Sequence, residues 1–318
     1  MAERAYDPEL IEWIPLLPTV SDFGDPADLP RIRANMVDFI PAIDPRSDVV
    51  REDLTVPGRE GDPDVSVRVY RPAEAPGSPM PGLLEIHGGG FILGNVDMMD
   101  GFCDLIAADF PAVVVSVEYR LAPEDPFPAG LEDCYAALVW FADNAAELGV
   151  DPDRIAVGGQ SAGGGLAAAT ALLARDRGGP LLRFQLLEIP ELDDRLETAS
   201  MVQFDDTPLW NRPNAVHSWK LYLGDDGPEP GADDVSPYAA PSRAEDLSGL
   251  PPAYVSVMEF DPLRDEGIRY AARLLESGVS TELHAFPGTF HGSAFLSEAG
   301  VSKRCAKESF DALARALR

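Results

Sequence analysis

Beyond residue 80 the chain settles into a repeating pattern in which short apolar runs alternate with longer stretches of helical character. The runs are GLLEIHGG at 82–89, AVVVSVEYR at 112–120, RIAVGGQ at 154–160, LRFQLLEIP at 182–190, AYVSVME at 253–259 and TELHAFP at 281–287. Between and after them the sequence predicts helices near 97–110, near 129–148, from about 162, near 264–277 and near 298–317. Strands that are apolar throughout, and that alternate with helices, belong to a mostly parallel sheet covered on both faces. Ahead of them, LTVPG and VSVRVYRP flank the turn-rich REGDPD and predict an antiparallel pair that opens the same sheet. The pattern therefore predicts an open α/β fold.

The alternation stops between about 196 and 236. There MVQFDDTPLWNRPNAVHSWKLYLG supplies aromatic and helical residues without a strand, which predicts a lid-like insertion. Residues 1–50 also fall outside the strand rhythm, with short amphipathic pieces such as PELIEWIPLL and LPRIRANMVDFI punctuated by proline. The polar loop DDGPEPGADDVSPYAAPS then leads back to the core. No internal repeat or long low-complexity segment is present.

Composition narrows the function classes. The 318 residues are 45% hydrophobic, with no apolar run near the ~20 residues that a membrane-spanning helix requires. The N-terminal MAERAYDPELIEW is acidic and lacks the basic and apolar regions of a secretory signal, so a soluble, cytoplasmic protein is expected. A formal net charge of −29 disfavours nucleic acid and anionic membranes, whose binding requires clustered cations. Lysine occurs only at 220, 303 and 307, a bias that fits a G+C-rich genome or adaptation to salt, the former being preferred. Cys103, Cys134 and Cys305 have no paired spacing and are expected as reduced thiols, neither a disulfide framework nor a zinc site.

The stretch AVGGQSAGGG, from Ala156 to Gly165, carries the first chemical signal. It lacks the lysine of a Walker loop and the spacing of a dinucleotide fingerprint, as does HGGGFILG at 87–94. It does satisfy G-x-S-x-G through Gly159, Ser161 and Gly163, directly between an apolar strand and an alanine-rich helix. That context places a serine on a tight strand-to-helix turn with its hydroxyl exposed.

A serine hydroxyl is a weak nucleophile until a base removes its proton. Of the four histidines, His87 opens a glycine run, His217 sits in the insertion, and His284 alternates within an apolar strand as a structural residue. His291 follows the last strand in a loop from which its imidazole can turn toward the serine, and it stands late in the chain as this nucleophile type requires. The carboxylate that orients such a base is best supplied by Asp261, just beyond a strand, with Glu259 as the alternative. Asp265 and Glu266 have a simpler reason to be present, since acidic residues are favoured in the first turn of a helix. The backbone N–H groups of Gly88 and Gly89, with that of Ala162, are the candidate oxyanion hole.

The ordered set HGGGFILG, VEYRLAPEDPFPAGLEDC, GGQSAGGGLAAA, DPLRDEG and FHG resembles the hormone-sensitive-lipase-like esterases, the bacterial family IV carboxylesterases of the α/β-hydrolase superfamily. The resemblance covers nearly the whole chain. It implies an α/β-hydrolase fold, a mostly parallel eight-stranded sheet flanked by helices, with a catalytic core at 51–195 and 237–318. A helical cap would come from 1–50 and 196–236. It also implies Ser161, Asp261 and His291 as triad and Gly88, Gly89 and Ala162 as oxyanion donors. Small to medium acyl esters are the implied substrates, with no metal or other cofactor required and a homodimer through the edge of the last strand. Phe204, Leu209, Trp210 and Trp219 are candidates for the substrate pocket, although aromatic residues of a cap equally serve as its packing core. Arg120 and Glu124 are expected as an ion pair behind the oxyanion loop. Many members of the family carry aspartate before the serine where this chain has Gln160, whose role the sequence leaves unexplained. An amidase or deacetylase would use the same machinery. A small-ligand receptor on this fold, as in plant gibberellin receptors, would lack the histidine that this chain retains.

Overall fold

A computed structural model describes residues 4–17, 26–39, 44 and 46–318 of the chain. The expected N-terminal cap segment falls partly on residues 1–3, 18–25, 40–43 and 45, which lie outside the described residues. Among the described residues eight strands form one sheet: β1 (Val49–Val56), β2 (Val65–Pro72), β3 (Met80–Ile86), β4 (Val113–Glu118), β5 (Val150–Gln160), β6 (Phe184–Glu188), β7 (Ala253–Phe260) and β8 (Thr281–Phe290). Their spatial order is β1-β2-β4-β3-β5-β6-β7-β8. β1 with β2 and β2 with β4 are antiparallel, and the remaining pairs are parallel.

Helices connect the strands as the pattern requires. They are α1 (Pro8–Ile11), α2 (Leu29–Phe39), α3 (Asp100–Asp109), α4 (Ala129–Asp143), α5 (Ala162–Arg177), α6 (Ala199–Gln203), α7 (Arg212–Leu223), α8 (Arg264–Glu276) and α9 (Gly300–Ala316). Several boundaries differ from those read in the sequence, among them the start of β5, at Val150 rather than 154, and the end of α4, at Asp143 rather than near 148. β1 begins at Val49 rather than at Leu54, because Arg51, a polar residue in the pattern, is anchored to Asp100 and Asp104 on α3 at 2.5 and 2.7 Å. β8 runs on past Pro287 to Phe290, with Phe260 paired to Phe290 after a register shift.

Alternation along each strand sorts side chains to two faces. Leu84, Val115, Val157, Leu187 and Val255 share a core with α4, α5 and α8, while Leu83, Val114, Ala156, Leu186 and Tyr254 share one with α3 and α9. Burial on both faces explains why these strands read as continuous apolar runs. Cys103, Cys134 and Cys305 are free and buried, as expected.

Residues 196–236 contain α6 and α7 and no strand. The segment is fastened to the core by ring packing: Tyr222 stacks on Phe91 at 3.9 Å, and Trp219 lies 5.3 Å from the same ring. The N-terminal segment lies along β8, where Asp7 donates its amide to the Gly288 carbonyl and Leu10 packs beside Phe290 and Ala299. It also reaches the insertion through an ion pair between Arg4 and Asp206. No helix among the described residues is long and apolar enough to cross a membrane.

Candidate active site

The C-terminal ends of β3, β5, β7 and β8 open on the same edge of the sheet, the edge on which open α/β sheets place their ligands. β5 lies at the centre and ends at Gln160, so Ser161 is lifted above the sheet between β5 and α5. Its backbone is strained, with φ 58° and ψ −122°, a conformation that a non-glycine residue adopts only when its surroundings enforce it. The enforcing bonds run from the Ser161 amide to the Glu188 carbonyl at 2.9 Å and from the Glu191 amide to the Ser161 carbonyl at 3.0 Å. Space is equally restrictive: a Cβ at Gly159 would stand 2.4 Å from the Gly163 carbonyl oxygen, and one at Gly163 only 2.0 Å from that of Ile86.

Ser161, His291 and Asp261 come together from three strands. The Ser161 hydroxyl lies 2.9 Å from Nε2 of His291, and Nδ1 of that ring lies 2.8 Å from Oδ2 of Asp261. Oδ1 of Asp261 accepts the Leu263 amide at 2.8 Å, which fixes the carboxylate. With Nδ1–H donating to Asp261, Nε2 is left as acceptor for the serine proton, the tautomer a general base needs. The serine and histidine are each 7% exposed and the aspartate 1%, so the array is shielded but reachable. Glu259, the alternative acid, is spent elsewhere: its carboxylate accepts the Gly288 amide at 2.7 Å. Asp265 is likewise held by Arg264 and the Ser200 amide.

The glycine run after β3 curves beside the serine. Gly89 and Gly90 have φ of +125° and +58°, and a Cβ at Gly88 would lie 3.4 Å from Cβ of Ser161. The amides of Gly88, Gly89 and Ala162 make no hydrogen bond among the described residues. Three free backbone donors beside a serine can accept a developing negative charge without reorganisation.

The other histidines are not brought to the serine. His87 is fully buried, donates Nδ1–H to the Gly88 carbonyl at 2.8 Å and stacks on Tyr119; burial lowers its pKa to about 4 and keeps it neutral. His217 is half-buried on α7. His284 meets Glu282 at 2.8 Å on β8.

Of the candidate pocket residues, two reach the site. A Cβ at Gly90 would strike the Trp210 ring at 2.4 Å, the ring centroid lies 6.0 Å from that of His291, and Leu209 touches Gly292. Phe204 is instead packed against Phe260 with Arg4 and Arg264 over its ring, and Trp219 is sealed among Phe91 and Tyr222. These two aromatics fill the base of the insertion because their large apolar area is best used in packing. The expected Arg120–Glu124 ion pair does not form. Arg120 is bound to Asp133 at 2.7 Å, while Glu124 is gripped by Arg33 at 2.8 Å, the fold bringing α4 and α2 closer to each partner than they are to one another.

Gln160 now has an account. Its Nε2 donates to Oε2 of Glu188 at 3.1 Å; Glu85 is fully buried and Glu188 partly so, and desolvation pushes both carboxyls up, with Glu188 raising Glu85 further. An aspartate at 160 would set a further carboxyl against two whose charged forms are already disfavoured, whereas an amide adds a donor. Glu85 and Glu188 stand inside apolar strand runs, where an acidic residue is itself the signal of a buried polar role, whereas Glu191 lies just past the second run and carries no such signal.

Glu191, 0% exposed, sits between Ser218 and the field of Asp261. Burial foremost, with Asp261 adding to it, lifts its pKa to about 8. A carboxyl raised in the folded state contributes stability that is complete below its unfolded pKa of ~4.3 and is lost as pH rises through about 8. Glu191→Gln, which stays neutral, is therefore expected to gain on the parent by up to ~1.4 kcal/mol per pH unit across that window. His87 slopes the opposite way between ~6.5 and about 4, but it is common to both proteins and cancels. Urea unfolding at pH 5, 6, 7 and 8 measures the difference; parallel curves would show that Glu191 ionises normally.

Comparison with known proteins bears on the chemistry. The family model described as alpha/beta hydrolase fold matches residues 83–295. The carboxylesterase NlhH of Mycobacterium tuberculosis is 41% identical over 300 residues, 92% of this chain and 90% of that protein. A bacterial heroin esterase structure superposes with a TM-score of 0.95 at 56% identity, covering 99% of this chain and 98% of that one. The hyperthermophilic esterase of the archaeon Pyrobaculum calidifontis gives 0.86 at 36% identity, covering 98% and 99% of the two chains.

Proposed function

Because the chain belongs to the alpha/beta hydrolase fold family, in its hormone-sensitive-lipase-like branch of hydrolase enzymes, we propose that it is a serine carboxylesterase acting on short to medium acyl esters through an acyl-enzyme. The observation that carries the proposal is the line from Ser161 Oγ to His291 Nε2 and from Nδ1 to Asp261, at 2.9 and 2.8 Å, beside three free amides.

Each group has a role that follows from its position. His291 takes the Ser161 proton as Oγ attacks the ester carbonyl, and Asp261 stabilises the imidazolium. The carbonyl oxygen becomes an oxyanion and is met by the amides of Gly88, Gly89 and Ala162. His291 then protonates the leaving alcohol, which departs and leaves the acyl group on Ser161. Water enters, gives a proton to His291 and attacks the acyl carbon. Collapse of this second intermediate releases the acid and returns the proton to Ser161. α6, α7 and the N-terminal segment form the cap over this centre. Trp210 and Leu209 bound the space beside His291 and restrict the acyl group to modest length.

p-Nitrophenyl esters from acetate to octanoate test this reading. Turnover is expected across the series with kcat/KM falling toward octanoate as Trp210 blocks the longer chains. Absence of turnover throughout the series would favour an amidase or a receptor. The edge of β8 outside the stretch covered by Asp7 and Leu10 is the surface through which a homodimer would form.

A further inference from the structure

A cleft of about 350 Å³ opens beside α8 and the segment that follows β6, and no member of the triad lines it. Two polar groups in its wall lack partners. Glu266 and Tyr270 are each 1% exposed, yet Oε2 of the carboxyl and the tyrosine hydroxyl make no hydrogen bond among the described residues. They stand four residues apart on α8 and so share one face of the helix. A buried polar group without a partner forfeits the hydrogen bond it made to water in the unfolded chain, which a bound ligand or water would restore.

The remaining lining favours an anion. Oε1 of Glu266 is already occupied by the Leu192 and Asp193 amides at 2.6 and 3.2 Å, and burial holds the carboxyl well above the ordinary range, so Oε2 carries a proton to donate. Burial likewise keeps the Tyr270 phenol neutral and a donor. Arg273 is fixed in the wall by the Ser242 and Ala244 carbonyls. Arg269, which is exposed, makes no hydrogen bond or ion pair among the described residues and only adds its field at Asp265. Asp193 is neutralised by a two-pronged contact with Arg195 at 2.6 and 2.9 Å. Three arginines, Arg195, Arg269 and Arg273, therefore line the wall against the carboxylates of Asp193 and the exposed Glu197, an excess of one cation in a chain whose net charge is −29.

We infer that this cleft binds a small oxyanion, a carboxylate or a phosphate, held by the guanidinium groups of Arg269 and Arg273 and by the hydroxyls of Glu266 and Tyr270. It lies against the machinery of the serine, because the Glu191 amide that braces Ser161 directly precedes the two amides that Glu266 holds. The inference does not depend on the esterase reading, since binding is measured without turnover.

Isothermal titration of the full-length protein with inorganic phosphate, and separately with butyrate, tests it and separates the two sources. At least one of them is expected to bind saturably. Arg269→Ala should weaken that binding at least about tenfold and Tyr270→Phe several-fold, since each removes one donor from a surface position or a conservative one. An anion held instead in the oxyanion hole would be indifferent to both substitutions. No saturable binding of either probe, or binding that survives both substitutions, overturns the inference.

Discussion

Ser161→Ala is expected to lower kcat for p-nitrophenyl ester hydrolysis by about 10⁵ to 10⁶ while leaving KM and thermal stability near those of the parent. The size follows from the geometry. With Oγ gone, His291 and Asp261 have no nucleophile to activate, and only the free amides and the binding surface remain to assist water. Triads lose about as much from removing the nucleophile alone as from removing all their members, and the residual ~10³ to 10⁴ over water belongs to the oxyanion hole and binding. Ser161 is 7% exposed and its side chain contacts His291, so deletion of one oxygen leaves no large cavity. A serine-reactive phosphonate provides the independent check: it should label the parent and fail to label Ser161→Ala. Labelling that persists in the variant would identify a different nucleophile.

The second large effect comes from a single methyl group. Gly163→Ala places Cβ 2.0 Å from the Ile86 carbonyl oxygen and 2.5 Å from that of His87, both backbone atoms at the end of β3. Neither neighbour is a flexible side chain that can turn aside, so α5 must move away from β3. Overpacking in a core costs about 1–3 kcal/mol, and an obstruction of backbone by backbone belongs at the upper end, about 3 kcal/mol. The same displacement shifts Ser161 relative to His291 and to the Gly88 amide, and ~1 Å of misplacement is enough for a hundredfold loss of rate. Chemical denaturation and kcat are expected to fall together. Gly61→Ala provides a contrast, since a Cβ there meets nothing within 4 Å even though its φ of +94° carries some strain. A Gly163→Ala protein with unchanged rate and stability would contradict the packing derived for the turn.

Much of this was written along the chain. Runs such as AVVVSVEYR and GLLEIHGG announce strands buried on both faces, because alternate residues face different helices and all must be apolar. Ser161 is legible because a strained turn between strand and helix leaves no room for side chains at Gly159 and Gly163. His291 and Asp261 are legible as polar residues just past the ends of strands. Arg51 and Glu124 were harder. Their partners Asp100 and Arg33 lie 49 and 91 residues away, and no local pattern encodes a contact across that separation.

The sequence by itself determined which elements form and which residues can do chemistry, since periodicity, turn geometry and side-chain type are local properties. Tertiary structure alone decided which of those residues meet. Sheet order and strand twist set the 2.9 Å from Ser161 to His291 across 130 residues, sent Phe204 and Trp219 into packing while leaving Trp210 beside the histidine, and paired Gln160 with Glu188. The reason is that hydrogen bonds and desolvation depend on distance in space, and only the closed fold converts positions along the chain into such distances.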